Sequence, residues 1–247
     1  MTAASFKDHF SGHATAYASA RPRYPQALTD FLADCCETRQ TAWDCATGNG
    51  QAALLLAQRF QQVFATDASA RQIAAASPHE RVTYHVAAAE ASALPANSVD
   101  LVTVAQALHW FDIERFFAEV ARVLRPGGVL AAWCYGLCQV NAAVDRVVLD
   151  LYDELDEWWP AERQIVNSGY SDIALPFTAI DCPVFTMRLD WTADDMLAYL
   201  ATWSATQRCR AATGREPVRD IALALRAAWG GGQRAAHWPL FLKASRR

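Results

Sequence analysis

The sequence predicts an α/β protein with a doubly wound, mostly parallel sheet of seven strands, an N-terminal helical lid and a C-terminal helical cap. Three observations lead to this prediction. Between residues 41 and 136, short apolar runs alternate with helical stretches, the pattern of a parallel sheet covered on both faces. A turn of small residues separates the first apolar run from the first helix. With 247 residues, 53% of them hydrophobic, the chain can bury one large core together with a cap.

The predicted elements follow in chain order. After a helical segment that ends near Glu37, the first five strands are predicted at Thr41–Ala46, Gln62–Asp67, Arg81–Ala87, Asp100–Ala105 and Val129–Cys134. The helices between them are predicted to start near Gly50, Ser69, Glu90 and Asp112. Farther along, a helix is predicted over residues 139–159, strands at Cys182–Asp190 and Trp238–Ala244, and helices at Ala193–Cys209 and Pro217–Trp229.

Composition excludes several classes of function. The net charge of −4 and the pI of about 5.8 give no basic surface for nucleic acid or anionic lipid. Lys7 and Lys243 are the only lysines. The chain therefore has neither the Tyr-x-x-x-Lys pair of a short-chain dehydrogenase nor the Gly-Lys-Ser/Thr loop that binds nucleotide phosphates. His9 and His13 have no acidic partner in a metal-ligand pattern, so we expect no metal site.

The chain is expected to be cytoplasmic and not to associate with membranes. Met1–Phe10 is polar, without the apolar region of a signal peptide, and no run of 18 apolar residues occurs. The seven cysteines form no Cys-x-x-Cys pair, as is typical of reduced thiols in the cytoplasm. The oligomeric state cannot be read from the sequence.

The most informative stretch is residues 43–51, which end the first strand and open the first helix with the order Asp-x-Ala-x-Gly-x-Gly. Asp67 ends the next strand, as expected in a βαβ unit that binds a nucleoside and whose acid accepts bonds from the ribose hydroxyls. Asp44 at the loop would repel a pyrophosphate but suits a cationic ligand. The pattern therefore predicts an adenosine-containing ligand, and Asp44 disfavours a dinucleotide.

These residues resemble motif I of the class I S-adenosylmethionine-dependent methyltransferases, with Ala46 in place of the usual first glycine. Residues 95–102 and 124–130 are similar to the entries to the fourth and fifth strands of the type 11 small-molecule group. Residues 105–111 and the pattern Tyr17-x-x-x-Arg21-Pro22-x-Tyr24-Pro25 are similar to relatives of trans-aconitate methyltransferase. The resemblance implies a Rossmann-like methyltransferase fold in one domain, with a lid (1–40), a cofactor-binding core (41–136) and a substrate cap with the closing strands (137–247).

The resemblance also implies where S-adenosyl-L-methionine would bind. The loop residues Asp44, Ala46, Thr47, Gly48, Asn49 and Gly50 would approach or support the methionine part. Asp67 would take the ribose hydroxyls, with Ala68 beside the adenine. Ala89, Glu90 and Ala91 would lie near the adenine amino edge, and Ala105 and Gln106 near the methionine amino group. Asp67 and Glu90 each have a second interpretation as an acid at the start of a helix.

The acceptor side leaves more alternatives open. Phe10 and Tyr17 either fold over the sulfonium or pack in a helix, and Trp158, Trp159 and Trp203 either wall an acceptor cavity or pack in the core. His109, with Trp110 beside it, is a candidate general base for a hydroxyl or amine acceptor, or it simply packs. A carboxylate acceptor would instead need an arginine, for which the sequence offers Arg21, Arg23, Arg208 and Arg210.

The predicted function is in-line methyl transfer from S-adenosylmethionine to a small-molecule acceptor, carboxylate or hydroxyl. The first alternative is a non-catalytic module that binds the same cofactor. The second is a nicotinamide-dependent oxidoreductase built on the same βαβ unit.

Overall fold

The computed structural model describes residues 22–247, in which a central sheet carries helices on both faces. The strands are β1 (Thr41–Cys45), β2 (Gln62–Asp67), β3 (Val82–Val86), β4 (Val99–Ala105), β5 (Leu124–Tyr135), β6 (Thr178–Ile180), β7 (Phe185–Trp191) and β8 (Arg234–Arg246). The helices are α1 (Gln26–Asp34), α2 (Gln51–Leu56), α3 (Ala70–Ala74), α4 (Ile113–Val123), α5 (Ala142–Glu154), α6 (Arg163–Asn167), α7 (Ala193–Ala201), α8 (Ser204–Thr213) and α9 (Pro217–Trp229). Short 3-10 turns cover Leu108–Trp110 and Asp156–Trp158.

The sheet confirms the predicted doubly wound, mostly parallel architecture. Its order is β3-β2-β1-β4-β5-β8-β6, with β7 also paired to β8. The first five strands are parallel, and β8 runs antiparallel to its three partners. Because β6 and β7 pair with successive parts of the same edge of β8, the sheet is seven positions wide although it has eight strands. The chain order reverses between β1 and β4, so the carboxyl ends of these strands form the crevice where ligands bind in such sheets.

Alternation along the strands divides the core between the two faces of the sheet. Ala42 and Leu101 lie on one face with α1, α2, α5, α7 and α9. Trp43 and Val102 lie on the other face, where the buried side of α4 covers them. The predicted helix before β1 is thus present as α1, and its apolar side is part of the core.

Two predicted helices are wrong in detail. No helix begins at Glu90, because Ser92 is fixed to the side chain of Glu119 on α4 through its backbone nitrogen and hydroxyl, at 2.8 and 2.6 Å. Pro95 follows at once and disfavours helix in the residue before it. The helix predicted over Ala193–Cys209 is two helices, α7 and α8, since Trp203 leaves helical geometry at φ −61° and ψ 137° and its side chain is buried.

After β5 the structure has three strands, one more than predicted. The strand predicted at Cys182–Asp190 is present as β7, whereas β6 has only three residues, too few for a periodic pattern. Within residues 22–247, no helix combines the length and apolarity needed to span a bilayer, and no cluster of His, Cys, Asp and Glu is arranged to hold a metal ion.

Candidate functional site

The loop after β1 turns through left-handed backbone at three small residues. Ala46, Gly48 and Gly50 have φ values of 53°, 58° and 89°. Glycine adopts this conformation freely, whereas an alanine there costs about 1–2 kcal/mol. The loop of this chain therefore keeps its left-handed turn at Ala46 with alanine in the glycine position of motif I.

The space around Gly50 is also limited. A Cβ at this position would lie 2.3 Å from the hydroxyl oxygen of Tyr84 on β3, closer than atoms can approach. Gly50 is the N-cap of α2, so the backbone of the loop leads directly into a helix N-terminus. A side chain at position 50 would therefore require the ring of Tyr84 to move.

Asp44 holds the loop from beneath. Its carboxylate is fully buried and accepts hydrogen bonds from the hydroxyls of Thr47, at 2.5 Å, and Thr103, at 2.8 Å. Burial raises the pKa of Asp44 to about 6, against the opposing effect of these hydrogen bonds. Asp44 therefore fixes the start of the loop and places a titratable carboxyl beneath it.

Asp67, at the carboxyl end of β2, faces the same loop. One carboxylate oxygen accepts a hydrogen bond from the backbone nitrogen of Gly48 at 2.9 Å, and the other accepts one from Ser69 at 2.8 Å. The N-cap of α3 is Ser69, whose hydroxyl accepts from Gln72, so the helix-capping interpretation of Asp67 is wrong. Backbone amides orient the Asp67 carboxylate at the edge of the sheet where it is predicted to accept hydrogen bonds from the ribose hydroxyls. Ala68, which follows it, is exposed.

The ends of β3 and β4 complete this edge of the sheet. Ala89 is buried, Ala91 is exposed, and the side chain of Glu90 accepts a hydrogen bond from the backbone of Asp112 at 3.1 Å. Gln106, after Ala105 at the end of β4, has a φ of 59° and joins its side-chain amide to the backbone of Tyr135 on β5 at 3.3 Å in both directions. The Gln106 side chain therefore bridges β4 to β5 in this structure.

His109 lies in the 3-10 turn after β4, where its ring faces Tyr170. Its Nδ1 is 3.0 Å from the hydroxyl oxygen of Tyr170. Burial, with a smaller effect of the Arg163 guanidinium, lowers the pKa of His109 to about 4. His109 is therefore uncharged at neutral pH, and at that pKa it is a weak base.

The contact between Tyr170 and His109 relates the hydroxyl to the protonation of the imidazole. Burial raises the pKa of Tyr170 well above its ordinary value, so the hydroxyl keeps its proton at neutral pH. Because a hydroxyl can donate or accept, the contact fits either tautomer of the neutral imidazole. When the hydroxyl donates to Nδ1, Nε2 is the N–H donor; when it accepts from Nδ1, Nε2 is the nitrogen that can act as a base.

The tryptophans of the cap divide between the core and this site. Trp203 is only 4% exposed, and its ring centroid lies 5.4 Å from that of Trp159 and 6.0 Å from that of Tyr152. Trp158 and Trp159 are half-buried, as is Trp110, which contacts the ring of His109. The guanidinium of Arg163 lies over Trp159 at 5.0 Å and over Tyr152 at 5.6 Å. Arg163 begins α6, which contacts the 3-10 turn of His109, so the aromatic cluster and His109 lie on neighbouring elements.

Three of the four arginines considered from the sequence lie within the described residues. Arg208 donates to the carbonyl of Trp158 at 3.3 Å, Arg210 pairs with Glu216 at 2.8 Å, and Arg23 is exposed. Phe10, Tyr17 and Arg21 lie outside the described residues. A surface groove of about 350 Å³ lies beyond β5, between residues 136–139, α5 and β8, and contains none of the predicted site residues.

Comparison with known proteins identifies the family. A model of the methyltransferase domain matches residues 43–132. A provisionally named methyltransferase of Dictyostelium discoideum is 35% identical over 208 residues, which cover 82% of this chain and 79% of that protein. A methyltransferase of Aspergillus candidus is 33% identical over 188 residues, covering 65% of this chain and 59% of the relative.

A solved structure leads to the same family. It is that of a provisionally named type II methyltransferase from Anaeromyxobacter dehalogenans, 47% identical, with a TM-score of 0.86 over 92% of this chain and 97% of the other. The chain belongs to the class I S-adenosylmethionine-dependent methyltransferases. The predicted methyltransferase class is confirmed, and the oxidoreductase alternative is excluded.

Sequence reasoning missed three residues of this arrangement. Tyr84 and Tyr170 stand on a strand and in a loop without any motif around them, and Arg163 follows Trp158-Trp159-Pro160 in a region without a matching pattern. Each is recognised only by residues distant in the chain that lie against it. The spacing of Trp159 and Arg163, four residues apart at the start of a helix, is the one local signal that was available.

Proposed function

We propose that this protein transfers the methyl group of S-adenosylmethionine to a small-molecule acceptor bound over the carboxyl ends of β4 and β5. The observation that carries the proposal is the left-handed loop from Ala46 to Gly50, which Asp44 supports from below and Asp67 faces from the side. This combination suits an adenosine ligand with a cationic methionine part, because it offers two carboxylates and closely approaching backbone but no cluster of cations for a pyrophosphate.

The residues proposed to hold the cofactor are those that this edge of the sheet brings together. Ala46, Thr47, Gly48, Asn49 and Gly50 supply the backbone, and Asp67 is the proposed acceptor for the ribose hydroxyls. Ala68 and Ala89–Ala91 lie at the ends of the neighbouring strands, where the adenine is proposed to sit. The bound cofactor supplies an electrophilic methyl group on a sulfonium, so the protein needs to orient the acceptor and exclude water.

The acceptor is proposed to be small because the chain is acidic and the carboxyl edge is flanked by aromatic side chains rather than by a basic face. The half-buried aromatics proposed for the acceptor side are Trp110, Trp158 and Trp159, whereas Trp203 is buried in the core. The proposed place of action is the cytoplasm, which rests on the reduced cysteines of the described residues.

The proposal is tested by calorimetric titration with S-adenosylmethionine, S-adenosylhomocysteine and NADH, followed by incubation with methyl-labelled S-adenosylmethionine and a panel of small acceptors. Micromolar binding of the first two ligands, and label in a small molecule, are the expected results. Cofactor binding without label transfer to any acceptor would favour the non-catalytic module. Absence of binding in the folded protein would refute the proposal.

A general base at His109 stays a prediction, and a single variant tests it. If His109 takes a proton from a hydroxyl or amine acceptor, His109→Ala should lower turnover on that acceptor about 10²–10⁴-fold. Cofactor affinity, measured in parallel, should not change. Turnover within threefold of the wild type would remove His109 from the proton transfer.

A further inference from the structure

Arg163 is a half-buried cation whose terminal nitrogens have no acceptor among residues 22–247. Its Nε donates to the hydroxyl of Tyr152 at 3.4 Å, and its planar face lies over Trp159 and Tyr152. Within the same described part of the chain, no carboxylate comes within ion-pair distance of it. A half-buried charge of this kind is costly unless it is paired, and the pairing group is absent from the described protein.

Arg163 begins α6, which contacts the 3-10 turn that carries His109 after the carboxyl end of β4. Burial is the main influence on three groups at this edge: it lowers the pKa of His109 and raises the pKa of Cys134 and of Tyr170. The positive charge of Arg163 has a smaller effect, which lowers the pKa of all three. These three residues stand on different elements that meet at this edge. The guanidinium therefore contributes a positive potential to the space in which the acceptor is proposed to bind.

In one of its tautomers, His109 adds a second donor beside the guanidinium. When Tyr170 donates to Nδ1, the Nε2–H of His109 can donate a hydrogen bond, and so can the terminal nitrogens of Arg163. A planar carboxylate matches both the fork of an arginine and an additional N–H donor. The two aromatic rings under the guanidinium hold it in place and leave its edge for a ligand.

We propose that Arg163 is a specificity-determining residue of the acceptor site, which binds a carboxylate of the methyl acceptor together with the Nε2–H of His109. The inference rests on the methyltransferase function proposed above and narrows its substrate class to small organic acids. The carboxylate of the bound acceptor would accept hydrogen bonds from the terminal nitrogens of Arg163 and so neutralise its charge.

The test uses the full-length protein saturated with S-adenosylhomocysteine, after the affinity for that ligand has been measured. Calorimetry then compares small acids with their amides of the same shape: benzoate with benzamide, phenylacetate with phenylacetamide, and succinate with succinamide. At least one acid is expected to bind at least tenfold more tightly than its amide. Arg163→Met, which keeps the apolar stem on Trp159, should weaken binding of that acid about 10–100-fold.

Two further variants make the comparison specific. Arg146→Met removes an arginine of α5 that is exposed and paired with Asp150 at 3.0 Å, and it should leave binding of the acid unchanged. Arg163→Lys keeps the charge without the fork and should lie between the wild type and Arg163→Met. A nuclear magnetic resonance titration supplies a readout that needs no acceptor, since removal of the cation should raise the pKa of His109.

The outcomes separate this inference from the proposed function. Amides that bind as tightly as their acids, acid affinity that survives Arg163→Met, or acids that do not bind at all would each overturn the inference and leave the methyltransferase function standing. Absence of S-adenosylhomocysteine binding would overturn the proposed function. The acid panel would then be run on the protein alone and judged by the same comparison.

Discussion

The two halves of the proposed site are built in different ways. Around β1 and β2, recognition rests on the backbone: left-handed residues at Ala46, Gly48 and Gly50, and carboxylates that hold amides and hydroxyls. Around α5 and α6, it rests on side chains, with Arg163 over Trp159 and Tyr152. Recognition by the backbone depends on the conformation of the loop, whereas recognition by side chains changes with the residues that line the site. This difference fits the proposed ligands. The backbone half would bind a methyl donor that many enzymes share, and the side-chain half would select a particular acceptor.

The largest expected effect separates packing from recognition in the side-chain half. Trp203 is buried among Trp159, Tyr152 and Tyr199, so Trp203→Ala should lower the free energy of unfolding by about 3–5 kcal/mol. The half-buried Trp159, replaced by alanine, should lower it by about 1–2 kcal/mol. Denaturant unfolding of both variants provides the measurement. If Trp203→Ala lowers the free energy of unfolding by less than about 1 kcal/mol, the packing role is contradicted and Trp203 is again a candidate wall of the acceptor cavity.

The backbone half is probed at Gly50. Gly50→Ala places a Cβ against the hydroxyl of Tyr84 in a residue with φ of 89°, and should cost about 2–3 kcal/mol of stability. Tyr84→Phe removes the nearest atom, so Gly50→Ala should cost about 1 kcal/mol less in that background. Gly214, which has a φ of 73° and no neighbour within 4 Å of an added Cβ, is the matched control. Equal losses at Gly50 and Gly214 would contradict the described contact with Tyr84.

A smaller effect, on the pH dependence of binding, tests the charge beneath the loop. The raised pKa of Asp44, about 6, means that the carboxyl is protonated at pH 5 and ionised at pH 7. A cationic cofactor favours the ionised form, lowers this pKa and releases a proton on binding. If the pKa falls by one unit, affinity for S-adenosylmethionine should rise about fivefold from pH 5 to pH 7.

Asp44→Asn provides the control for this pH dependence. The variant cannot ionise at this position, so its affinity should be flat across the same range after correction for other groups. Calorimetry in buffers of different ionisation enthalpy measures the released proton directly. If the affinity of the wild-type protein for S-adenosylmethionine does not vary from pH 5 to pH 7, the charge of Asp44 does not contribute to cofactor binding.

The same difference between the two halves explains what the sequence could predict. The five parallel strands and the loop were predicted because their signals are local: apolar runs, small residues and an acid at the end of a strand. The helix expected at Glu90 was wrong because Ser92 is held by Glu119, a contact that spacing does not reveal. Arg163 was missed for the same reason, since Tyr152, to which it donates and over which it lies, belongs to another helix.

The central claim is that Asp67 and the loop it faces bind the cofactor. The most direct measurement is the affinity of Asp67→Ala for S-adenosylhomocysteine by calorimetry, beside Asp153→Ala, which removes an exposed aspartate of α5. Because a carboxylate makes charge-assisted hydrogen bonds, Asp67→Ala should bind about 30–100-fold more weakly, with Asp153→Ala unchanged. Wild-type affinity in a folded Asp67→Ala protein would contradict the account.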